Sequence, residues 1–313
     1  MTTLLEVARR AGVSKSTVSN VIRGASLVAD GTRARVERAI AETGYHPNAI
    51  ARALKARTSS ALGIVVPDLA NPFHAALAVA VERAASAEGL AVLAAHTECL
   101  PRMEEEAARA LIERRVDGVV IAGLALGSRL PRRLLDGGIP VVLAAAGELD
   151  DDRLGIIDHD DPSAMAAIVE HLYGLGHRRI AFVSQHLAEH AGERRRVGFT
   201  AALARRDLSP VALANGATAV VAHNDMLAIA TIDQLERGGR RVPRDVSVVG
   251  YDDVPLASHC RINLTTVRSD AVEMGRRAVE LVVAAARSGR PVAHREIMAN
   301  PLVIRGTTRP PSC

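Results

Sequence analysis

Leu4-Leu5-Glu6-Val7-Ala8-Arg9-Arg10, then Ala11-Gly12-Val13-Ser14, then Lys15-Ser16-Thr17-Val18-Ser19-Asn20-Val21-Ile22 is the stretch on which the fold turns. Leu4, Val7, Ala8 and Ala11 fall at i, i+3, i+4 and i+7, the apolar stripe of a short packed helix. Gly12 breaks it, Val13 plugs the turn, and Ser14 is placed to cap a second helix from Lys15 to Ile22. Val18 and either Val21 or Ile22 face inward on that helix, which leaves Lys15, Ser16, Ser19 and Asn20 outward. A short helix with small polar and basic residues on its outer face suits insertion into a DNA major groove, where base edges offer donors and acceptors. The same shape could also be a terminal helical hairpin with no such role.

Working outward, Thr32 to Thr43 reads as a third helix, with Val36 and Ile40 inward and Ala39 as a further candidate for that face, Arg33, Arg35 and Arg38 outward, and Gly44 as its stop. Tyr45-His46-Pro47-Asn48 is an extended connector, because a residue before proline avoids the helical region. Ala49 to Ala56 can form a brief helix, marginal by itself for want of a core. The first 60 residues hold ten Lys or Arg against four acids, leaving 29 against 31 in the remainder of the 313. Phosphate-binding charge is therefore concentrated beside the helical pair. Only Lys15 and Lys55 are lysines, a bias that a GC-rich genome would produce.

A chain that is 48% hydrophobic can bury the core of two or three domains. Its longest apolar runs, around Ile64 and Val119, are of strand length, so no membrane span is expected. Met1 to Arg10 lacks the apolar region of a signal peptide, which predicts a cytoplasmic protein. Cys99, Cys260 and Cys313 are far apart and form no CxxC pair, which fits reduced thiols. From Leu62 short apolar runs alternate with helical stretches, the pattern of parallel α/β layers. Strands are expected at Leu62–Val66, Ala91–Ala94, Gly118–Ala122, Pro140–Leu143, Ile180–Ser184, Ala219–Ala222 and Val246–Gly250, with a final one around Leu302–Ile304. Ligands bind beyond the carboxyl ends of such strands. That rule selects Asp68 to Phe73, Ala122-Gly123, the loop after Ser184, His223-Asn224-Asp225 and Tyr251-Asp252-Asp253, which converge only if two sheets face each other across a cleft.

TLLEVARRAGVSKSTVSNVIRG followed by TRARVERAIAETGYHPNAIARAL closely resembles the start of the lactose-repressor (LacI) family of bacterial transcription regulators. The resemblance continues in VPDLANPF, RRVDGVVI, EHLYGLGHRRIAFVS, GFTAAL, AVVAHNDMLAIA, VPRDVSVVGYDD, LTTV and PLVIRGTT. It implies an all-α helix-turn-helix DNA-binding domain at residues 1–46, a hinge helix and linker at 47–60, and an effector-binding core at 61–313. The core would be α/β and like a periplasmic binding protein. Its two doubly wound parallel-sheet subdomains, joined by three crossings of the chain, would span about 61–174 with 266–290, and 175–263 with 291–313. The implied function is a DNA-binding regulator, most simply a repressor. Its homodimer would read a pseudo-palindromic operator under control of a small effector, such as a carbohydrate, in the cleft. No enzymatic activity or cofactor is implied. The competing classes are a transport-type binding protein with the same core, which the basic head argues against, and a metal hydrolase.

By the same resemblance, the residues that contact DNA are Ser14, Lys15, Ser16, Thr17, Ser19, Asn20, Arg23, Asn48, Arg52 and Leu54. Lys15, Ser16 and Asn20 match the specificity positions, and Leu54 matches a side chain wedged into the minor groove. Phe73, Arg195, Asn224 and Asp252 match positions that touch the effector. Asn supplies donor and acceptor, Asp accepts from hydroxyls and Arg donates in a fixed fork. The alternative for an Asp or Asn after a strand is a helix cap, a role expected of Asp225, and at least two of Arg194, Arg195 and Arg196 are expected to be solvated. His186-Leu187-Ala188-Glu189-His190 spells H-x-x-E-H, the inverted zinc-protease pattern. It follows a strand end as a loop ahead of a helix expected near Gly192, so no metal site is expected. His177 is read as structural. No dinucleotide fingerprint, nucleophile elbow or P-loop is present.

The chain departs from the family between Arg206-Asp207-Leu208-Ser209-Pro210 and Gly216-Ala217-Thr218, where relatives carry a strand and a helix and here only Val211 to Asn215 intervene. The lost strand would be the sheet edge in the order 2-1-3-4-5. Right-handed crossovers then require one of two solutions. Either the helix before Arg206 changes face, or the loop threads back over the exposed edge with Val211 to Leu213 as a remnant strand. A second subdomain less stable than the first is expected, with a cleft more open, weaker or no longer functional. The tail from Arg305 to Cys313 is too short and proline-rich for a tetramer-forming heptad repeat, so a dimer is expected.

Overall fold

The computed structural model describes residues 2–22, 28–45, 59–147, 149–184 and 189–311. The chain divides into two units, 1–57 and 58–313, each taken by itself below.

The first unit holds three helices, α1 (Leu4–Ala11), α2 (Lys15–Ile22) and α3 (Asp30–Thr43). A reciprocal capping box starts α1: the Thr3 hydroxyl accepts from the Glu6 N–H and the Glu6 carboxylate accepts from the Thr3 N–H at 2.7 Å. Gly12 ends it at φ 65°, and its N–H donates to the Ala8 and Arg9 carbonyls. The Ser14 hydroxyl accepts from the Thr17 N–H at 3.1 Å, the expected cap of α2. Val7, Ala8, Ala11, Val18, Val21, Val36 and Ala39 form one small core. The inward choice on α2 is thus Val21, with Ile22 at the rim, and on α3 Ala39 is deeper than Ile40. The third helix begins at Asp30, one half-turn before the expected Thr32.

The second unit is built on two parallel sheets. The first has the order β10-β5-β4-β3-β1-β2, from β1 (Ala61–Val66), β2 (Ala91–His96), β3 (Gly118–Ile121), β4 (Val141–Ala144), β5 (Gly155–His159) and β10 (His294–Met298). Helices α4 (Pro72–Ala87) and α10 (Ala271–Ser288) cover one face through Leu77, Val81, Met274 and Val282. Helices α5 (Pro101–Glu113) and α6 (Leu130–Asp136) cover the other through Ala108, Leu111 and Leu134. The second sheet has only three strands, β6 (Ile180–Val183), β7 (Ala219–Ala222) and β8 (Ser247–Val249), in that order. Helices α7 (Asp161–Gly174) and α8 (His190–Ala204) lie on one face and α9 (Asp225–Arg237) on the other. A short antiparallel pair, β9 (Thr266–Val267) with β11 (Leu302–Val303), completes this lobe.

Two boundaries differ from the sequence reading. Residues 161–174, expected in the first subdomain, form α7 and pack on the second sheet. β10 pairs with β5 from His294↔Gly155 to Met298↔His159, so this part of 291–313 belongs to the first sheet, not the second subdomain. Neither strand was legible: Gly155–His159 ends in Asp-His, and His-Arg-Glu-Ile-Met is a polar edge strand without an apolar run. Three segments join the lobes, at 159–161, 267–271 and 298–302, and Asn300 ties them. Its amide oxygen accepts from the Asp160 N–H at 3.2 Å and its amide nitrogen donates to the Arg268 carbonyl at 3.2 Å.

The shortened stretch takes the second of the two topological solutions. Phe199, Ala202 and Leu203 of α8 stay packed with Met165, Ile168 and Leu172 of α7, so the helix has not changed face. Val211 and Leu213 pack instead against the opposite core of Val220, Ala222 and Val248. In passing, the Val211 N–H donates to the Ile180 carbonyl at 3.1 Å on the outer edge of β6. A single bond and a helical turn, Leu213–Asn215, stand where a remnant strand was expected.

Candidate functional site

In the first unit, α2 presents two unlike sides. Val18 and Val21 are in the core, whereas Ser14, Lys15, Ser16 and Asn20 are exposed, and Thr17 and Ser19 are half-buried. The Ser14 hydroxyl lies 2.7 Å from Ser16 Oγ and 2.8 Å from Thr17 Oγ1 as well as capping the helix, so Ser14 and Thr17 chiefly fix the first turn. Lys15, Ser16 and Asn20 remain outward on a rigid frame. Arg23, Asn48, Arg52, Leu54 and the expected hinge helix lie outside the described residues.

In the second unit a cleft of about 310 Å³ opens at the carboxyl ends of the strands of both sheets. Phe73, Arg195, Asn224 and Asp252 all line it. Phe73 is held in the first turn of α4, where Asn71 Oδ1 accepts its N–H at 3.0 Å and Pro72 starts the helix. Its ring meets those of His74 and His159 edge-on at 5.6 and 5.8 Å. Asn224 Oδ1 accepts from the Leu227 N–H at 2.8 Å, so the cap of α9 is Asn224 and not Asp225 as the sequence suggested. Capping uses the amide oxygen and leaves the amide N–H groups. Asp225 is instead wholly buried: it accepts from the Thr266 hydroxyl and the Val254 N–H, and burial outweighs these bonds and pushes its carboxyl up to about 7.

Arg195, 4% exposed, is the most constrained group in the cleft. Its Nη1 donates to the His223 carbonyl at 2.7 Å, its Nε lies 3.4 Å from Asp161 Oδ1, and its Nη2 lies 3.7 Å from Asp252 Oδ1. The guanidinium stacks over the Tyr251 ring at 3.7 Å, and the Tyr251 hydroxyl donates to Asp161 at 2.7 Å. Burial opposes ionisation of Asp161, but Arg195 and Arg194 hold its carboxyl below the usual range. Asp252 goes the other way. Burial lifts it to about 8 against the pull of Arg195, and Asp225 and Asp161 add to the rise. Beyond the loose pair with Arg195 its carboxyl makes no hydrogen bond among the described residues, and it sits on backbone at φ 111°.

Of the three consecutive arginines only Arg196 is a surface residue, paired with Glu193. Arg194 is an ion-pair partner of Asp158 and Asp161 and donates to the His159 carbonyl at 2.7 Å, so the expectation of two solvated arginines fails. These carboxylates lie at the end of β5 and the start of α7, and no local pattern marks them as an arginine's partners. The strand-end rule did point to Asp68 and to the loop that delivers Glu189. His74 was missed, although a helical turn beginning at Pro72 brings it to the same opening.

His186 lies outside the described residues, and His190 begins α8, earlier than the expected Gly192. The His190 N–H donates to the Leu124 carbonyl at 3.1 Å. Among the described residues no group of His, Cys, Asp and Glu is arranged to hold a metal ion. His177 is buried among Thr218, Ser247 and the Arg309 carbonyl, all within 3.1 Å, as a structural histidine would be. No described helix is long and apolar enough to cross a membrane.

A helical head with an outward polar helix stands in the same chain as a two-sheet core with a polar cleft at its strand ends, the make-up of a regulator of transcription. Residues 3–48 match the family of bacterial regulatory proteins, lacI family. Residues 59–217 match periplasmic binding proteins and sugar binding domain of LacI family, and 169–308 a periplasmic binding protein-like domain. The HTH-type transcriptional repressor PurR of Vibrio vulnificus is 30% identical over 307 residues, covering 90% of this chain and 91% of that protein; PurR of Vibrio atlanticus is 31% identical over the same length and coverage. The lac repressor dimer bound to operator and the anti-inducer ONPF superposes with a TM-score of 0.85 at 28% identity, covering 98% of this chain and 99% of that one. The transcriptional regulator CelR with cellobiose gives 0.71 at 29% identity, with coverage of 98% and 100%. The chain belongs to the LacI family of bacterial regulatory proteins; it is a DNA-binding regulator and not an enzyme.

Proposed function

We propose that this regulator is a repressor. As a homodimer in the cytoplasm, where the genome is, it reads a pseudo-palindromic operator and changes its grip when a small polar effector occupies the cleft. The observation that carries the DNA side is the exposure of Lys15, Ser16 and Asn20 on a helix whose other side is locked into a core. Asn suits bidentate contact to adenine and Lys to guanine, each worth about 1–3 kcal/mol of discrimination. Arg23, Asn48, Arg52 and Leu54 are proposed to add phosphate and minor-groove contacts on the strength of the resemblance. Phe73, Arg195, Asn224 and Asp252 are proposed as the effector contacts because one cleft gathers all four. The effector acts through its unequal affinity for two states of the core rather than by competing with DNA.

Selection of bound fragments from a random DNA pool tests the proposal. The full chain should enrich an inverted repeat. Asn20→Ala should relax the choice at one position of each half-site while the salt dependence of binding stays nearly unchanged. Equal weakening on all sequences would remove Asn20 from direct readout, and enrichment of no motif would refute the operator reading.

A further inference from the structure

Of the three consecutive arginines, Arg196 pairs with Glu193 at the surface and Arg195 lines the cleft. Arg194 does neither. It turns toward residues 159–161, the first of the three segments that join the lobes, and grips that crossing at three successive points. Its Nη1 pairs with Asp158 Oδ2, at the end of β5 in the first lobe. Its Nη2 donates to the His159 carbonyl at 2.7 Å and lies 3.0 Å from Asp161 Oδ2, at the start of α7 in the second lobe. One planar guanidinium therefore spans the residue before the crossing, the backbone inside it and the residue after it. Asp158 and Asp161 are each 2% exposed, so water competes little for these bonds.

Asp161 is shared. Its Oδ2 faces Arg194, while its Oδ1 accepts from the Tyr251 hydroxyl and lies 3.4 Å from Arg195 Nε. A carboxylate held on both oxygens cannot follow one arginine without disturbing the other. The helix that carries both arginines also bridges the lobes. Phe199, Ala202 and Leu203 anchor α8 in the second lobe's core, whereas the His190 N–H donates to the Leu124 carbonyl of the first lobe at 3.1 Å and Glu189 forms an antiparallel bridge with Ala125. Burial pushes the Asp158 carboxyl up and the Arg194 guanidinium pulls it back. A buried ion pair adds little stability over neutral groups of the same shape, so its value at this place is directional: it fixes a bend.

We infer that Arg194 is a positioning residue that splints the first crossing at the bend seen here and couples it, through Asp161, to Arg195 in the cleft. This extends the two-state reading of the core by naming the side chain that holds one of the states. The lobes change their angle by bending the crossings, and bending at 158–161 requires Arg194 to release Asp158 or Asp161. An occupant of the cleft that draws Arg195 off Asp161 loosens that grip.

Distances between nitroxide labels test this in the full chain. Cys260→Ser and Cys313→Ser remove two native thiols, and the labels go on Glu113→Cys and Glu236→Cys, exposed positions on α5 of the first lobe and α9 of the second. Dilution with unlabelled chain isolates the distance within one copy. Arg194→Met alone leaves Asp158 buried without its cation, and the urea midpoint should fall. Adding Asp158→Asn should return the midpoint toward the parent's, because both members of the pair are then neutral. The distance distribution should nevertheless stay broadened or displaced by several ångströms, as expected at the far ends of a hinge. Arg194→Lys should keep the fold and broaden the distribution too, since an ammonium answers one carboxylate but cannot span both and the carbonyl between them. A double variant that regains the parent's narrow distribution along with its midpoint would show that Arg194 merely answers the charge of Asp158. Parent-like distances in Arg194→Lys would overturn the splint equally. No effector enters these measurements, so they stand apart from the effector reading. Affinity of the same variants for operator DNA selected with the parent addresses that reading: unchanged affinity beside a broadened distribution sustains the splint and counts against control of DNA binding by two states of the core.

Discussion

In the first lobe the outer side of β1 is paired along its whole length with β2, from Ala61↔Ala91 to Val66↔His96; in the second lobe the outer side of β6 meets only a passing loop and the single Val211–Ile180 bond. The lobes share parallel strands with helices on both faces, so the difference isolates what happens at a sheet edge that has no neighbouring strand. Helix α8 stays packed with α7 and the loop after it takes the detour to the opposite face. Burying a Phe or Leu side chain contributes roughly 1.5–3 kcal/mol, so moving α8 would forfeit Phe199 and Leu203 against α7. A loop rerouted round an edge loses a few backbone bonds of about 1 kcal/mol each, many of which water replaces. Packing therefore dictates the topology here, and the exposed β6 edge is the cost.

The largest test of that asymmetry compares two core truncations. Phe199 and Leu134 are both fully buried, one in each lobe. Phe199→Ala should cost about 3–5 kcal/mol and Leu134→Ala about 2–5 kcal/mol. With three strands to share the loss, the Phe199 variant should lose hydrogen-exchange protection across 164–222 while 61–159 stays protected. The Leu134 variant should leave the second lobe's protection as it was. Calorimetry of the parent should resolve two transitions, with the second lobe melting first. One cooperative transition, or equal loss of protection in both lobes, would break the comparison.

What was legible in the sequence follows the same division. Helices α1 and α2 and strands β1, β3, β4, β6 and β7 were readable because each rests on a local signal, an apolar stripe or a β-branched run; Phe73, Asn224 and Asp252 also fall where the strand-end rule points, whereas Arg195, inside α8, came from the resemblance alone. β5 and β10 were not, since an apolar run interrupted by Asp158 and His159, or a polar edge strand, looks like a loop until its neighbour is known. The cap of α9 was placed one residue late because Asn224 and Asp225 are equally good caps in isolation; burial of Asp225 against Thr266 decides, and Thr266 is remote in sequence. The Arg194–Asp158 and Arg195–Asp161 pairs were invisible for the same reason, as they join separate elements.

A smaller effect should appear in the pH dependence of the second lobe. Asp252 and Asp225 have folded-state pKa values raised to about 8 and about 7 from 3.8, in each case mainly by burial. A carboxyl raised in this way contributes stability in full below its unfolded value, and loses it as the pH climbs through the folded value. Asp161, held low by its arginines, acts oppositely, but its contribution is lost only as pH falls below about 4. His171, His177 and His190 of the same lobe are held below their ordinary pKa by burial and oppose this trend up to about pH 6.5, so the raised pair dominates from about pH 6.5 to 8. Urea unfolding should show the second lobe weakening over that window and the first lobe changing less. In Asp252→Asn the loss should shrink. A second lobe that strengthens from about pH 6.5 to 8, or an unchanged slope in Asp252→Asn, would remove these two carboxyls from the difference between the lobes.

The smallest expected effect sharpens the comparison at the junction of the lobes. Asn300, 8% exposed, accepts from the Asp160 N–H and donates to the Arg268 carbonyl and to the Ser269 hydroxyl at 3.3 Å, so one side chain binds all three segments that run between the sheets. Neither sheet depends on it for packing. Asn300→Ala leaves the Asp160 N–H and the Arg268 carbonyl without that partner, and should cost about 1–3 kcal/mol if water does not replace it. The loss should fall on the connection: protection within both sheets should be kept, and amides of 159–161 and 267–271 should exchange faster. X-ray scattering should show a wider spread of lobe separations, because the crossings can then flex independently. Faster exchange inside β7 or β8 would mean instead that Asn300 supports the weaker sheet directly, and the asymmetry of the lobes would then extend into the hinge.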